Sequence, residues 1–185
     1  MPTIVLTVFA AACLFTSLLF LGYKKSSYSH VRHTISELGE VGTPHQQLVA
    51  FGIFAPVGAI LLLVAYLARS ASPETAALAL CISIGYLVAA VFPCDRGSPF
   101  SGTNRQAIHN LGGAVEYLGG AFALFRVAGH FGQLFQDLGF IVLCVAIAIS
   151  VPQLFPARGL IQRVGELCLF GGLALALWHS GARAV

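Results

Sequence analysis

The chain has 185 residues, 57% of them hydrophobic and only 9% charged, with a formal net charge of +3. A water-soluble domain carries roughly a quarter charged residues. A soluble globular fold is therefore excluded, and lipid is the solvent for most of this surface.

Six apolar blocks follow one another at residues 3–22, 48–68, 76–93, 107–125, 138–155 and 159–178. Each approaches the roughly 20 residues that an α-helix needs to cross the hydrocarbon core. A membrane β-barrel would show alternating segments of about ten residues instead, and the sequence has none. The expected fold is all-α, a single integral membrane domain over residues 1–185. Its six transmembrane helices are expected at about residues 3–22, 44–68, 75–93, 104–126, 136–155 and 157–180, with a short interfacial helix in the first cytoplasmic loop. The first block lacks a basic leader, and Gly22-Tyr23-Lys24-Lys25 offers no small-residue cleavage site, so it reads as a retained helix.

The first loop, residues 23–47, is the most polar part of the chain. Residues 29–38 read as a short helix closed by Gly39. Helical spacing there puts His30, His33 and Glu37 on one face, with Val31, Ile35 and Leu38 turned towards acyl chains. Thr43-Pro44-His45-Gln46 carries a capping threonine, a proline at the first helical position and a glutamine three after the cap. Thr103-Asn104-Arg105-Gln106 repeats the threonine and glutamine, and each is followed by a glycine (Gly52, Gly112), a faint trace of an internal repeat.

The third loop and the helix after it concentrate polar groups in "FPCDRGSPFSGTNRQAIHNLGG". His109, Gly113, Glu116 and Gly120 are spaced to form one stripe of the fourth helix, with Glu116 about 10 Å deeper than His109. An ionisable residue at that depth is expensive and is expected to face the bundle interior. In the sixth helix, Arg163 and Glu166 are three apart and read as an internal ion pair, with Glu116 or an anionic ligand as alternative partners for Arg163. His130 and His179 read as interfacial residues with no shared role. The five cysteines form no CxxC pair, so they read as small apolar fillers.

Lys24, Lys25, Arg32, Arg96, Arg105, Arg158 and Arg163 fall on the side of the first, third and fifth loops, against Arg69, Arg126 and Arg183 on the other. The positive-inside rule puts the odd-numbered loops in the cytoplasm and both termini outside, with a bacterial inner membrane as the expected home. That face gathers His33, Glu37, His45, Asp95, Arg96, Arg105, His109 and Arg163, together with three helix N-termini whose dipoles favour an anion. The expected partner is membrane lipid, whose phosphate is always at hand, and not nucleic acid.

On this reading Arg96, Arg105 and Arg163 hold a headgroup. His45, Glu116 and Ser36 contribute further ligand contacts, and glycine-lined helix 4 borders the tail. Should chemistry occur, His109 is the acid or base, Asp95 orients it, and His33 and Glu37 close the site. Ser36 or Ser101 beside His33 or His109 would make a nucleophilic pair, although nothing like GxSxG surrounds either serine. His33, His45, Asp95 and His109 are acceptable ligand types for zinc or iron. No tight ligand motif joins them, and no cofactor is expected. Two alternatives remain beside lipid binding: a small proton-coupled transporter using Glu116 and His109, and a non-catalytic regulatory subunit.

Three stretches, "YSHVRHTISELGEVGTPHQ", "VFPCDRG" followed by "IHNLGG", and "GLIQRVGE", resemble the bacterial and archaeal membrane family named domain of unknown function 998. The resemblance spans most of the chain, and "ISELG" and "FPCD…HNLGG" are its most specific parts. It implies a helical membrane bundle whose motif positions fall on Ser36, Glu37, Leu38, Gly39, Pro93, Asp95 and His109, and it implies no particular activity. At fold level the chain is also similar to lipid-remodelling membrane bundles. It lacks the HxxxH pair of the CREST hydrolases, which weighs against a zinc-dependent amidase.

Overall fold

The computed structural model describes residues 2–182. Among them, six helices run back and forth: α1 (Pro2–Lys24), α2 (Leu48–Ala68), α3 (Pro73–Val91), α4 (Asn104–Phe131), α5 (Gln133–Ala148) and α6 (Arg158–Ala182). Five are long and apolar enough to cross a bilayer. The exception is α5, whose 16 residues rise about 24 Å, short of the roughly 30 Å of hydrocarbon. Its expected extension to residue 155 does not form. The chain leaves the helix at Ala148 and continues as an exposed 3-10 stretch, Pro152–Ala157, in which two prolines supply no N–H to an α-helical ladder.

The helices close into a ring in chain order, α1 lying between α2 and α6, while α3 also reaches across to α6. Leu14, Leu61, Ile82, Leu124, Leu169 and Leu173 fill its centre and are fully buried. Lipid is as apolar as leucine, so association rests on close packing rather than on hydrophobic expulsion. Helix α5 packs chiefly on the Val115–Phe131 half of α4 and scarcely on the first half, Asn104–Ala114.

Local chemistry sets the ends of α4. The Thr103 hydroxyl accepts the Gln106 N–H at 3.3 Å, the expected cap. The helix runs past residue 126 to Phe131 and stops at Gly132, whose φ of 97° only glycine adopts at low cost. Midway, Val115–Gly119 widens into π-type turns, a feature frequent at functional sites. The cap proposed at Thr43 is not made. Its hydroxyl donates to the Glu40 carbonyl at 2.8 Å, and the Gln46 side chain takes the Gly42 N–H at 2.9 Å. The likeness of the two helix starts therefore ends at the sequence.

The helix expected over residues 29–38 condenses to the 3-10 turn Ser36–Gly39. Side chains have taken over the backbone groups: His33 Nδ1 accepts the Ser29 N–H at 2.8 Å, and Glu37 Oε1 accepts the Thr34 N–H at 2.8 Å. His30, His33 and Glu37 consequently share no helical face.

The first and third loops and the start of α6 knit into one layer at a single end of the bundle. Val41 N–H donates to the Cys94 carbonyl (3.0 Å), Gly97 N–H to Glu40 Oε2 (2.7 Å), and Leu160 N–H to the Val31 carbonyl (2.9 Å). Burial within this layer, with Glu40 and Glu37 nearby, pushes the Cys94 thiol up to about 12. All five cysteines are free.

Candidate functional site

Beneath this layer a cavity of about 220 Å³ runs from Ser98 and Phe100 in the third loop down to Glu116 and Tyr117 in the wide turns of α4. Pockets that engulf a drug-sized ligand measure roughly 300–1,000 Å³, so this one suits part of a molecule whose remainder lies elsewhere. Gly113 borders it with open space where a Cβ would stand. The rim carries lipid-facing residues, Leu118 being 49% exposed. The end of α5 (Ala146) and the first half of α4 (His109, Asn110, Gly113, Ala114) both border the cavity.

His109 and Ser36 meet on its wall. Ring Nδ1 lies 2.8 Å from the Phe92 carbonyl and Nε2 lies 3.1 Å from Ser36 Oγ. A carbonyl only accepts, so Nδ1 carries the proton, and in the neutral ring Nε2 is left as acceptor for the serine hydroxyl. Asp95 therefore does not orient His109. Its carboxylate accepts the Thr103 N–H (2.8 Å) and hydroxyl (3.0 Å) and pairs with Arg105, organising the third loop instead. The Thr103 N–H above all, with Arg105 and the Thr103 hydroxyl, holds that carboxyl below the usual carboxylate range.

At the inner end two carboxyl groups sit in the apolar core. Glu166 accepts from Tyr86 (2.8 Å) and Tyr117 (2.5 Å) and is 1% exposed. Glu116, 7% exposed, has an Oε1 with no hydrogen-bond partner. The expected Arg163–Glu166 pair is not formed. Arg163 donates instead to the carbonyls of His30 (2.8 Å), His33 (3.2 Å) and Gly159 (2.8 Å) and to the Tyr28 hydroxyl (2.6 Å), pinning the first loop onto α6.

Of the catalytic and ligand-binding candidates named from the sequence, Ser36, His109 and Glu116 line the cavity, with Gly113 of the same stripe beside them. The others stand apart from its lining: His33 stacks on Tyr28, Glu37 caps its turn, and His45 sits half-buried at the approach to α2. Arg96 is exposed, while Arg105 and Arg163 spend their donors on the chain itself. Sequence reasoning missed Arg158 as a site residue. Its Nη1 donates to the Ser98 carbonyl at 2.7 Å, its guanidinium lies 4.9 Å from the Phe155 ring centroid, and its buried Nε has no partner. The one available signal was its place among the basic residues of that face. Gln162 was missed as well, and its Oε1 accepts the Ile35 N–H at 2.8 Å on the same wall. Among the described residues no three His, Cys, Asp or Glu side chains converge as metal ligands.

Fold and site together define a multi-pass helical membrane protein with a largely apolar cavity, carrying a few polar side chains, under one loop layer. The family model described as "Protein of unknown function (DUF998)" matches residues 8–179, and the chain belongs to that family. No curated protein and no solved structure matches it.

Proposed function

We propose that this protein binds an anionic membrane amphiphile, such as a phospholipid, in the cavity beneath the loop layer. One observation carries the reading. The described residues include two buried side-chain polar atoms without a hydrogen-bond partner, Glu116 Oε1 and Arg158 Nε, and both residues line this cavity. Native chains leave few such groups, because each forgoes about 1–3 kcal/mol. A headgroup that presents an anionic acceptor to Arg158 and a hydroxyl to Glu116 satisfies both, while its acyl chain leaves past Gly113 into the bilayer. Basic residues gathered around the odd-numbered loops favour a cytoplasmic placement of this face, with both termini outside and the bacterial inner membrane as the setting.

Transport draws less support. Beyond Glu116 and Glu166 the bundle is closed by Leu78, Leu124, Leu169 and Leu173, each 0% exposed, so the cavity opens on one side.

Extraction in mild detergent followed by lipid analysis tests the binding. Anionic phospholipid is expected to co-purify in near-stoichiometric amount with the wild type and to fall several-fold in Arg158→Gln and in Glu116→Leu. Equal lipid content in all three proteins would discard the reading.

A further inference from the structure

We propose that Ser36 and His109 form a nucleophile–base pair that hydrolyses a carboxylic ester of the bound amphiphile. The inference rests on the binding site proposed above and adds a reaction to it. The geometry has the parts that an activated serine needs. Ser36 Oγ lies 3.1 Å from His109 Nε2, and the opposite ring nitrogen is held at 2.8 Å from the Phe92 carbonyl, which selects the tautomer with a basic Nε2. The two side chains come from separate elements and are fixed independently. The turn that carries Ser36 is tied by Glu37 to Thr34, by the Ile35 N–H to Gln162, and by Lys25 Nζ to the Glu37 carbonyl at 2.8 Å.

A serine–histidine bond that served only to anchor a loop has no need of a cavity, yet both residues line one. Arg158 lines the same cavity, so the negative charge that develops on the ester oxygen forms in the field of a cation. Ser36 lies in the loop layer and His109 in the second turn of α4, so the pair stands at the loop-layer end of the cavity.

The steps balance with water as the only co-reactant. Ser36 Oγ bonds to the ester carbonyl carbon while its proton passes to His109 Nε2. The tetrahedral adduct then collapses, the bond to the alcohol oxygen breaks, and that oxygen takes the proton from Nε2. Water next attacks the acyl-serine, giving its proton to Nε2. The fatty acid departs as Ser36 recovers a proton from the imidazolium. The sum is ester plus water giving acid plus alcohol.

A long-chain alkyl fluorophosphonate, which labels activated serines, tests this in the full-length protein in detergent micelles. One adduct is expected, mapped by peptide mass to Ser36, with labelling lost in Ser36→Ala and slowed about 100-fold or more in His109→Gln, the scale of a positioned base. Ser36→Cys, close in volume, is expected to lose the fluorophosphonate adduct and to be alkylated by iodoacetamide at that position faster than the native cysteines. Phospholipid content is measured on the same samples. Lipid retained by Ser36→Ala together with an unlabelled wild type overturns the reaction and leaves the binding site standing. Lipid indifferent to Arg158→Gln discards the binding site. An adduct on any serine other than Ser36 also overturns the assignment.

Discussion

Glu166 shows what an ionisable group requires in the middle of a bilayer. Two tyrosine hydroxyls, from Tyr86 on α3 and Tyr117 on α4, converge on its separate oxygens from helices that would otherwise meet only through apolar contacts. Each bond replaces water that the bilayer core does not offer. Tyr86→Phe removes one donor without changing shape and leaves a buried carboxyl oxygen unmatched. Its expected cost is about 1–3 kcal/mol, read as a lower unfolding temperature in detergent. Tyr66→Phe is the control, because Tyr66 is 58% exposed on the lipid side and should not shift it. Equal melting temperatures for the two variants would show that the Glu166 cluster contributes nothing to stability.

At the level of helices, α3 and α4 approach through glycine. A Cβ on Gly85 would overlap the Glu116 carboxylate and stand 2.7 Å from the Glu116 Cβ, so no neighbour but glycine lets Glu116 fold inwards there. Gly85→Ala is expected to cost about 1–3 kcal/mol by overpacking. Combined with Glu116→Gly the loss should be clearly less than the sum of the two, since that change removes both the carboxylate and the Cβ that the new methyl group would meet. Additive losses in thermal unfolding would mean that the two positions do not touch.

This pair also marks the limit of what the sequence reveals. Apolar length alone foretells the spans, Thr103 foretells the start of α4, and a spacing of four and three places His109, Gly113 and Glu116 on one inward stripe. Gly85 carries no such signal, because within an apolar block a glycine acquires meaning only when another helix is laid against it. The loops are less legible for the same reason. His33, Asp95 and Arg163 have the chemistry of site residues, yet each is consumed by backbone groups that folding brings to it, while Arg158 gains its place from loops far away in the chain. The short α5 is legible only in part, since hydropathy continues past Ala148 where two prolines end the helix.

For the molecule as a whole, the loop layer is the lid over the cavity, and its acid sensitivity follows from two of its members. His30 Nδ1 accepts from Arg163 at 3.0 Å, a bond available only to the neutral ring. Burial, with the charge of Arg163 behind it, lowers the His30 pKa below its ordinary 6.5. The unfolded chain then binds the proton more readily than the folded one, so stability rises with pH. His30's contribution is complete above its ordinary value and is lost as pH falls through and below it. Asp95 acts in the same direction at lower pH. With its carboxyl held below the ordinary 3.8, chiefly by the Thr103 N–H, its contribution is present above that value and disappears as pH falls through the depressed one. Acidification is therefore expected to loosen the layer in two stages, at the first loop and then at the third. Melting temperature followed against pH should decline first across the imidazole range. His30→Gln, which keeps a neutral acceptor, should flatten that first decline and leave the second. Asp95→Asn should flatten the second and lower the neutral-pH plateau, because Arg105 loses its counter-charge. A melting temperature independent of pH across the imidazole range in the wild type would show that Arg163 holds the first loop without His30.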